Sequence, residues 1–279
     1  MSQYNGPDTE SPGAWASNLD IPGQMHQEPY KIGGVPYLVG APALHGMEQR
    51  ERVILTRKYP RILIEELRRG ELEAALVSSI EGFRRPGYQA LRSIGISCDG
   101  EVRSVRMFLR TAPEAVRSLA LDCGSATSVA LSKVLLAKRF GARLEHTFDI
   151  EPTCQPDEID ADAVLLIGDA GLRAECGQRR VLDLGAEWKA WKGLPFVFAL
   201  WLIQTTEKRS AGIAEELTAA WARGKAAGIE DGTGGRIQYD LGARHHEGLQ
   251  AFHAEAAELG HCESGLEPQW IADTNQVSS

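Results

Sequence analysis

The sequence has no apolar run long enough to cross a bilayer, which takes roughly 18 consecutive residues. Its longest candidate, "GLPFVFALWLIQTT", is shorter and carries a proline. A basic surplus is also missing: 30 Lys and Arg stand against 38 Asp and Glu, a formal net charge of -8. Nucleic-acid binders show a basic face, and here the basic residues are dispersed among acidic ones, so neither nucleic acid nor membrane is expected as a partner. None of the five cysteines, at positions 98, 123, 154, 176 and 262, forms a C-x-x-C pair, and their number is odd. That argues against a disulfide framework and for a reducing compartment. Zinc-like spacing is absent from the seven histidines. His245, His246, His253, His261 and Cys262 crowd the C-terminal part, but a polar helical face accounts for them as well as a metal does, and no metal is expected.

What is present suits a globular α/β protein. The hydrophobic share of 43% over 279 residues allows one large domain or two modest lobes. Residues 1–30 have neither a basic start nor an apolar core, so they do not read as a secretory signal. Their Pro, Gly, Ser and Asn content reads as a flexible extension. The tail over 262–279 reads the same way, with Trp270 the residue expected to dock.

Between these ends, strand-like and helix-like segments alternate. "KIGGVPYLVGAPALHG" reads as a short strand and a Gly/Pro-rich loop. "PRILIEELRRG" has apolar residues at helical spacing and stops at Gly70. "ELEAALVSSI" reads as a buried strand presenting Ser78 and Ser79 at its end. "SIGISCDGEVRSVRMFLR" holds an Asp-Gly turn at Asp99-Gly100, then alternates from Val102 to Met107 as a strand does. "LDCGSATSVALSKVLLAKRF" passes from strand to helix through Ser125, Ala126, Thr127 and Ser128. "ADAVLLIGDAGL" is an apolar strand ending at Gly168-Asp169, and a further strand or strand–helix junction is expected near Phe196. "SAGIAEELTAAWARGKAAG" and "LQAFHAEAAELG" read as helices. Such alternation predicts a largely parallel sheet, whose ligands gather at the carboxyl ends of the strands. Ser78-Ser79, Ser125 to Ser128 and Gly168-Asp169 all fall at such ends.

A helix N-terminus offers unpaired N–H groups and partial positive charge, and Gly124 allows close backbone approach, so a carboxylate or phosphate is one reading of the helix mouth. A Ser or Thr N-cap is the other. Ser78-Ser79 reads equally as a hydrogen-bonded strand end, Asp169 as a cap for a helix from Ala170, and Ser104 as an ordinary strand serine. Phe196, Phe198, Trp191 and Trp201 read as core.

Taken together, "RGELEAALVSSIE", "GISCDGEVRSV", "LALDCGSATSVALSKVLL", "ADAVLLIGDAGLR" and "DLGAEWKAWKGLPFVFALW" resemble the chorismate dehydratases of the futalosine route to menaquinone. The resemblance covers about Gly33 to Leu259. It implies a two-lobed fold like the type II periplasmic solute-binding proteins, with a ligand cleft between the lobes. The first lobe is expected over 31–106 plus 200–261 and the second over 107–199, with crossings near "SVRMF" and "FVFALW". It further implies a cytoplasmic carbon–oxygen lyase that needs no cofactor and takes a small carboxylate. Under it Ser104 is a catalytic residue. Ser78, Ser79, Gly124, Ser125, Ala126, Thr127, Ser128, Asp169 and Val39 line the substrate site.

Two positions depart from the family pattern. Val39 stands where many members have Asn, in Tyr/Phe-Leu-Asn-x-x-Pro-Leu, and Ala126 stands where Ser-Arg-Thr-Ser is common. Both changes remove polar groups, so a non-catalytic carboxylate-binding protein on the same scaffold is the alternative expectation.

Overall fold

The computed structural model describes residues 28–271, so residues 1–27 of the expected flexible extension and residues 272–279 of the tail lie outside the described residues. Two sheets form. The chain lays down β1 (Tyr30–Gly34), β2 (Val53–Arg57), β3 (Ala74–Ser78) and β4 (Gln89–Cys98). It then leaves to make β5 (Val105–Leu109), β6 (Ser118–Asp122), β7 (His146–Ile150), β8 (Ala163–Ile167) and β9 (Arg180–Asp183). It returns with β10 (Phe196–Ile203), β11 (Ile237–Asp240) and β12 (Gln269–Ile271). The first sheet runs β11-β4-β10-β3-β1-β2, with β12 also on β4; the second runs β7-β6-β8-β5-β9. Helices α1 (Ala41–Leu44), α2 (Pro60–Arg68), α3 (Ala126–Val134), α4 (Gly168–Arg173), α5 (Leu184–Lys192), α6 (Glu207–Ala226) and α7 (Ala243–Glu258) cover them. None of the helices among the described residues is long and apolar enough to cross a membrane.

The sheets are mixed, not largely parallel. β1 pairs in parallel with β2 and β3, and β6 with β7 and β8. β5 runs antiparallel to β8 and β9, and β10 antiparallel to β3 and β4. The reason is the double crossing: β5 and β10 are the strands by which the chain enters one sheet from the other, and both run against their neighbours. The crossings fall a little earlier than the sequence pattern placed them. Val105 and Arg106 already pair in the second sheet, and Phe196 to Ala199 already pair in the first. The alternation from Val102 is therefore not all strand; residues 99–104 are the crossing, and Asp99-Gly100 joins two sheets instead of closing a hairpin.

Local sequence explains most elements. α2 begins at Pro60, whose fixed φ suits the first helical turn, and the chain turns away at Gly70 with φ 72°. β8 (AVLLI) and β10 (FVFALWLI) are buried at every position, as central strands covered on both faces should be. Trp270 docks as expected: it lies in β12 and meets the His246 ring edge-on at 4.9 Å.

One apolar core is shared by both lobes. Trp188 of α5 and Leu165 of β8 pack with Phe196 and Phe198 of β10 and Phe252 of α7. Trp188, Phe196 and Phe252 meet at near-perpendicular angles with ring centroids 4.9–6.1 Å apart. Each such pair adds about 0.5–1.5 kcal/mol beyond area burial. The lobes are thus fused behind the cleft; Phe196 and Trp201 are core as the sequence suggests, while Phe198, though buried in the same cluster, also lines the cavity between the sheets.

Gly248 lets α7 seat on the second crossing, since a Cβ there would lie 2.1 Å from the Pro195 carbonyl oxygen. Gly248→Ala is expected to cost about 1–3 kcal/mol through overpacking. Calorimetry should read that as a melting temperature lower by about 2–4 °C per kcal/mol; an unchanged value would contradict this packing.

Candidate functional site

A cavity of about 70 Å³, partly open to solvent, lies between the sheets. Val35, Tyr37, Val39, Val77, Ser78 and Ile96 wall it from the first sheet and its loops; Val105, Gly124, Ser125, Ser128, Ile167 and Gly168 wall it from the second. Ser104, at the end of the first crossing, lies between them. No charged residue is among the lining residues.

The loop from β6 to α3 is shaped by Asp122. Its carboxylate accepts the Gly124 N–H at 2.9 Å and the Ile167 N–H at 3.0 Å, which ties the loop to the end of β8. Burial pushes this carboxyl above the ordinary Asp range, while the two backbone donors pull it down. Ser125 follows in extended conformation and caps α3: its hydroxyl oxygen accepts from the Ser128 N–H at 3.3 Å. The capping reading of the helix mouth is therefore realised. It does not exhaust the mouth, because the N–H groups of Ser125, Ala126 and Thr127 have no acceptor among the described residues. The first-turn amides of a helix are the ordinary seat of an anion.

Two hydroxyl chains join the lobes. In the first, the Ser128 hydroxyl donates to Ser125 Oγ at 3.1 Å, and Ser125 Oγ lies 3.3 Å from Ser78 Oγ. Either hydroxyl can donate in the Ser78–Ser125 contact, and both residues line the cavity. In the second, the Ile80 N–H donates to Thr127 Oγ1 at 3.1 Å, Thr127 Oγ1 lies 3.2 Å from Ser79 Oγ, and Ser79 donates to the Val197 carbonyl at 2.7 Å. Ser79 and Thr127 are fully buried and do not line the cavity. The expectation that their side chains hold substrate is corrected accordingly: these hydroxyls are consumed in fastening the lobes.

The other expected residues divide likewise. Ser104 lines the cavity at 6% exposure, and its hydroxyl has no hydrogen-bond partner among the described residues. Val39 lines it too, its carbonyl fixed by the Tyr239 hydroxyl at 2.8 Å. Ala126 packs its methyl against the shared core and is not part of the wall. Asp169 is also outside it, with its side chain 47% exposed and 3.9 Å from Arg173. Nor does Asp169 cap a helix from Ala170. Gly168, with φ 64°, turns the chain directly into α4 one residue earlier than the expected cap.

Sequence reasoning passed over Tyr37. A Cβ on Gly124 would meet its hydroxyl at 2.9 Å, and a Cβ on Gly168 its ring at 3.2 Å. The ring bridges the lobes, and burial, then the nearby Asp122, raises its pKa. Its signal was the pair of glycines at two strand ends, which a bulky side chain from the opposite lobe requires. The crowded histidines serve the fold. His246 Nε2 meets the Arg92 carbonyl at 2.8 Å and His253 Nε2 the Glu263 carbonyl at 2.7 Å, while His245 Nδ1 accepts the Gly242 N–H.

Thr127→Val leaves the Ile80 N–H and the Ser79 hydroxyl short of a partner, at a cost of about 1–3 kcal/mol. Ser104→Ala breaks no protein hydrogen bond and should leave stability near wild type. Urea denaturation of the two variants checks the contrast; equal losses would contradict this assignment.

Three comparisons bear on what this cleft is for. The family VitK2_biosynth, described as menaquinone biosynthesis, matches residues 30–233. A chorismate dehydratase of Thermus thermophilus is 32% identical over 196 residues, covering 62% of this chain and 69% of that protein. Among solved structures, protein AF1704 of Archaeoglobus fulgidus superposes with a TM-score of 0.63 at 14% identity, covering 84% of this chain and 99% of that one. The periplasmic aliphatic sulphonate binding protein SsuA of Escherichia coli does so with a TM-score of 0.51 at 14% identity, covering 84% and 86%. The two structural likenesses show the fold alone, a two-lobed α/β architecture of the periplasmic-binding-protein kind.

Proposed function

This chain belongs to the menaquinone-biosynthesis family VitK2_biosynth, and from that premise we propose that it is a lyase that dehydrates chorismate to 3-[(1-carboxyvinyl)oxy]benzoate, or performs the same dehydration on a close relative of chorismate. The ring C4 hydroxyl leaves with the C3 proton as water, and the ring becomes aromatic. Atoms and electrons balance without an oxidant or reductant. The observation that carries the reading is that the N–H groups of Ser125, Ala126 and Thr127, at the start of α3, have no acceptor among the described residues, and that Ser125 lines the same cavity as a buried Ser104 whose hydroxyl has no partner among them.

The substrate's ring carboxylate seats on those amides, where the helix dipole and the N–H donors both favour an anion. The Ser78 hydroxyl, which also lines the cavity, adds a hydrogen bond to the same carboxylate. Ser104 contacts the reacting edge of the ring. The valine, isoleucine and phenylalanine walls exclude water and strengthen each polar contact inside. With aromatisation as the driving force, the protein's task is orientation and stabilisation of developing charge. No His, Asp or Glu lines the cavity as a base; the enolpyruvyl carboxylate of the substrate takes the C3 proton instead. The reading carries a cytoplasmic location with it.

One observation favours a second reading. An uncharged wall, with Val39 in place of the usual Asn, suits a protein that binds a small carboxylate without turning it over. Incubating the purified chain with chorismate and following ultraviolet absorbance separates the two. The first reading predicts an aromatic product released with turnover; binding without product supports the second, and neither binding nor product removes chorismate as the ligand.

Val39→Asn restores a hydrogen-bonding group at the wall. On the dehydratase reading the rate rises about 10- to 100-fold, the worth of one such contact at a transition state. No change would place Val39 outside the reacting end. An analogue with the enolpyruvyl carboxylate esterified should bind and not react; normal turnover would rule out the substrate as its own base.

A further inference from the structure

Ser104 owes its place to an unusual turn. The Ser104 N–H donates to the Val102 carbonyl at 2.8 Å, closing a three-residue turn, and its central residue, Arg103, has φ 64°. Arg103 is the one non-glycine residue with positive φ among the described residues. A tight turn of this hand is rare and strained, and strain of this sort persists only where its surroundings over-determine it. Nothing in Arg103's own side chain calls for the conformation: it is exposed and reaches only the Gly234 carbonyl, at 3.4 Å.

The determinant lies in the second lobe. Asp183 ends β9 and caps α5 by accepting the Ala186 N–H at 3.0 Å. A cap needs one oxygen. The same carboxylate also accepts the Val102 N–H at 3.0 Å and the Arg103 N–H at 2.6 Å. The turn is closed in on both other sides. A Cβ on Gly235 would lie 2.6 Å from the Val102 carbonyl oxygen, and one on Gly171 would lie 2.4 Å from the Ser104 carbonyl oxygen.

We propose that Asp183 is a positioning residue of the cleft: its carboxylate holds the N–H groups of Val102 and Arg103, and the strained turn so fixed presents the Ser104 hydroxyl to the bound ligand. The kinetic half of this rests on the dehydratase reading; the structural half does not. Asp183 acts through Ser104 and does not touch the substrate.

Asp183→Asn separates the two roles of the residue. Asn caps helices about as well as Asp, so α5 keeps its start. One side-chain position now carries NH₂ and faces the N–H of Arg103, donor against donor. In a crystal structure of this variant, Arg103 is expected to relax to negative φ and the Ser104 hydroxyl to leave the cavity wall. An unchanged turn with Ser104 in place overturns the proposal, whatever the protein catalyses.

Kinetics supply the second arm. With chorismate as substrate, Asp183→Asn is expected to lower kcat about 100-fold, the scale set by an ångström of misplacement, with KM little changed. In a Ser104→Ala background the same substitution should change kcat by no more than about twofold. Arg103→Pro, which removes the N–H and forbids positive φ while leaving the α5 cap intact, should behave the same way in both backgrounds. An equal loss with and without the Ser104 hydroxyl would mean that Asp183 merely supports the fold, and would overturn the proposal. Absence of turnover in the wild-type chain would count against the dehydratase reading alone, and the crystal structure of the variant would then decide.

Discussion

Two carboxylates, each outside any ion pair among the described residues, hold the walls of the cleft by their bonds to backbone N–H groups. Asp122 ties the mouth of α3 to the end of β8, and Asp183 ties the first crossing to the start of α5. In each case the burial that raises the carboxyl's pKa is opposed by amide donors that stabilise the charged form. A carboxylate suits this position because it offers acceptors in more than one direction from one rigid group. A loop held so needs no packing of its own. Its amides and hydroxyls can then stay free of protein partners, as the N–H groups of Ser125, Ala126 and Thr127 and the Ser104 hydroxyl do among the described residues.

The fold surrounds these two fixed points with a cleft that is already assembled. Solute-binding architectures are commonly pictured as two lobes on a hinge, yet here Trp188, Phe196 and Phe252 form one buried core across the lobe boundary. The Ile80–Thr127–Ser79–Val197 chain adds polar bonds between the lobes just behind the cavity. A preformed site loses less freedom on binding and orients its ligand better. That matches the demands of the proposed dehydration, in which aromatisation is the driving force and little covalent chemistry falls to the protein.

Much of this was legible in the chain itself. The strand ends at Ser78, Asp122 and Ile167 follow from apolar runs meeting small polar residues, and the two-lobed fold is implied by the family resemblance that the motifs carry. Hydrogen-bond partners were not legible. Ser79 and Thr127 look like site residues because they are hydroxyls beside true site residues, yet each lies one position off the wall, and one position in a strand or a helix start reverses what a side chain faces. Asp169 misled for a similar reason: the left-handed Gly168 starts α4 two residues before the expected Ala170. Asp183 was hidden inside a motif readable as plain helix capping, and its second role appears only when Val102 and Arg103, some eighty residues earlier, are seen on the same carboxylate. Tyr37 was hidden because its contacts are with two glycines, which show up in sequence as an absence of side chain.

The account stands on an anion seated at the start of α3 with Ser104 across from it. The most direct measurement is a titration of ¹⁵N-labelled protein with chorismate, or with its aromatic dehydration product, followed by amide chemical shifts. The account predicts that the amides of Ser125, Ala126 and Thr127 move together and saturate with one binding constant, and that Ser104 moves with them. Saturable binding that leaves those three amides where they were would contradict it.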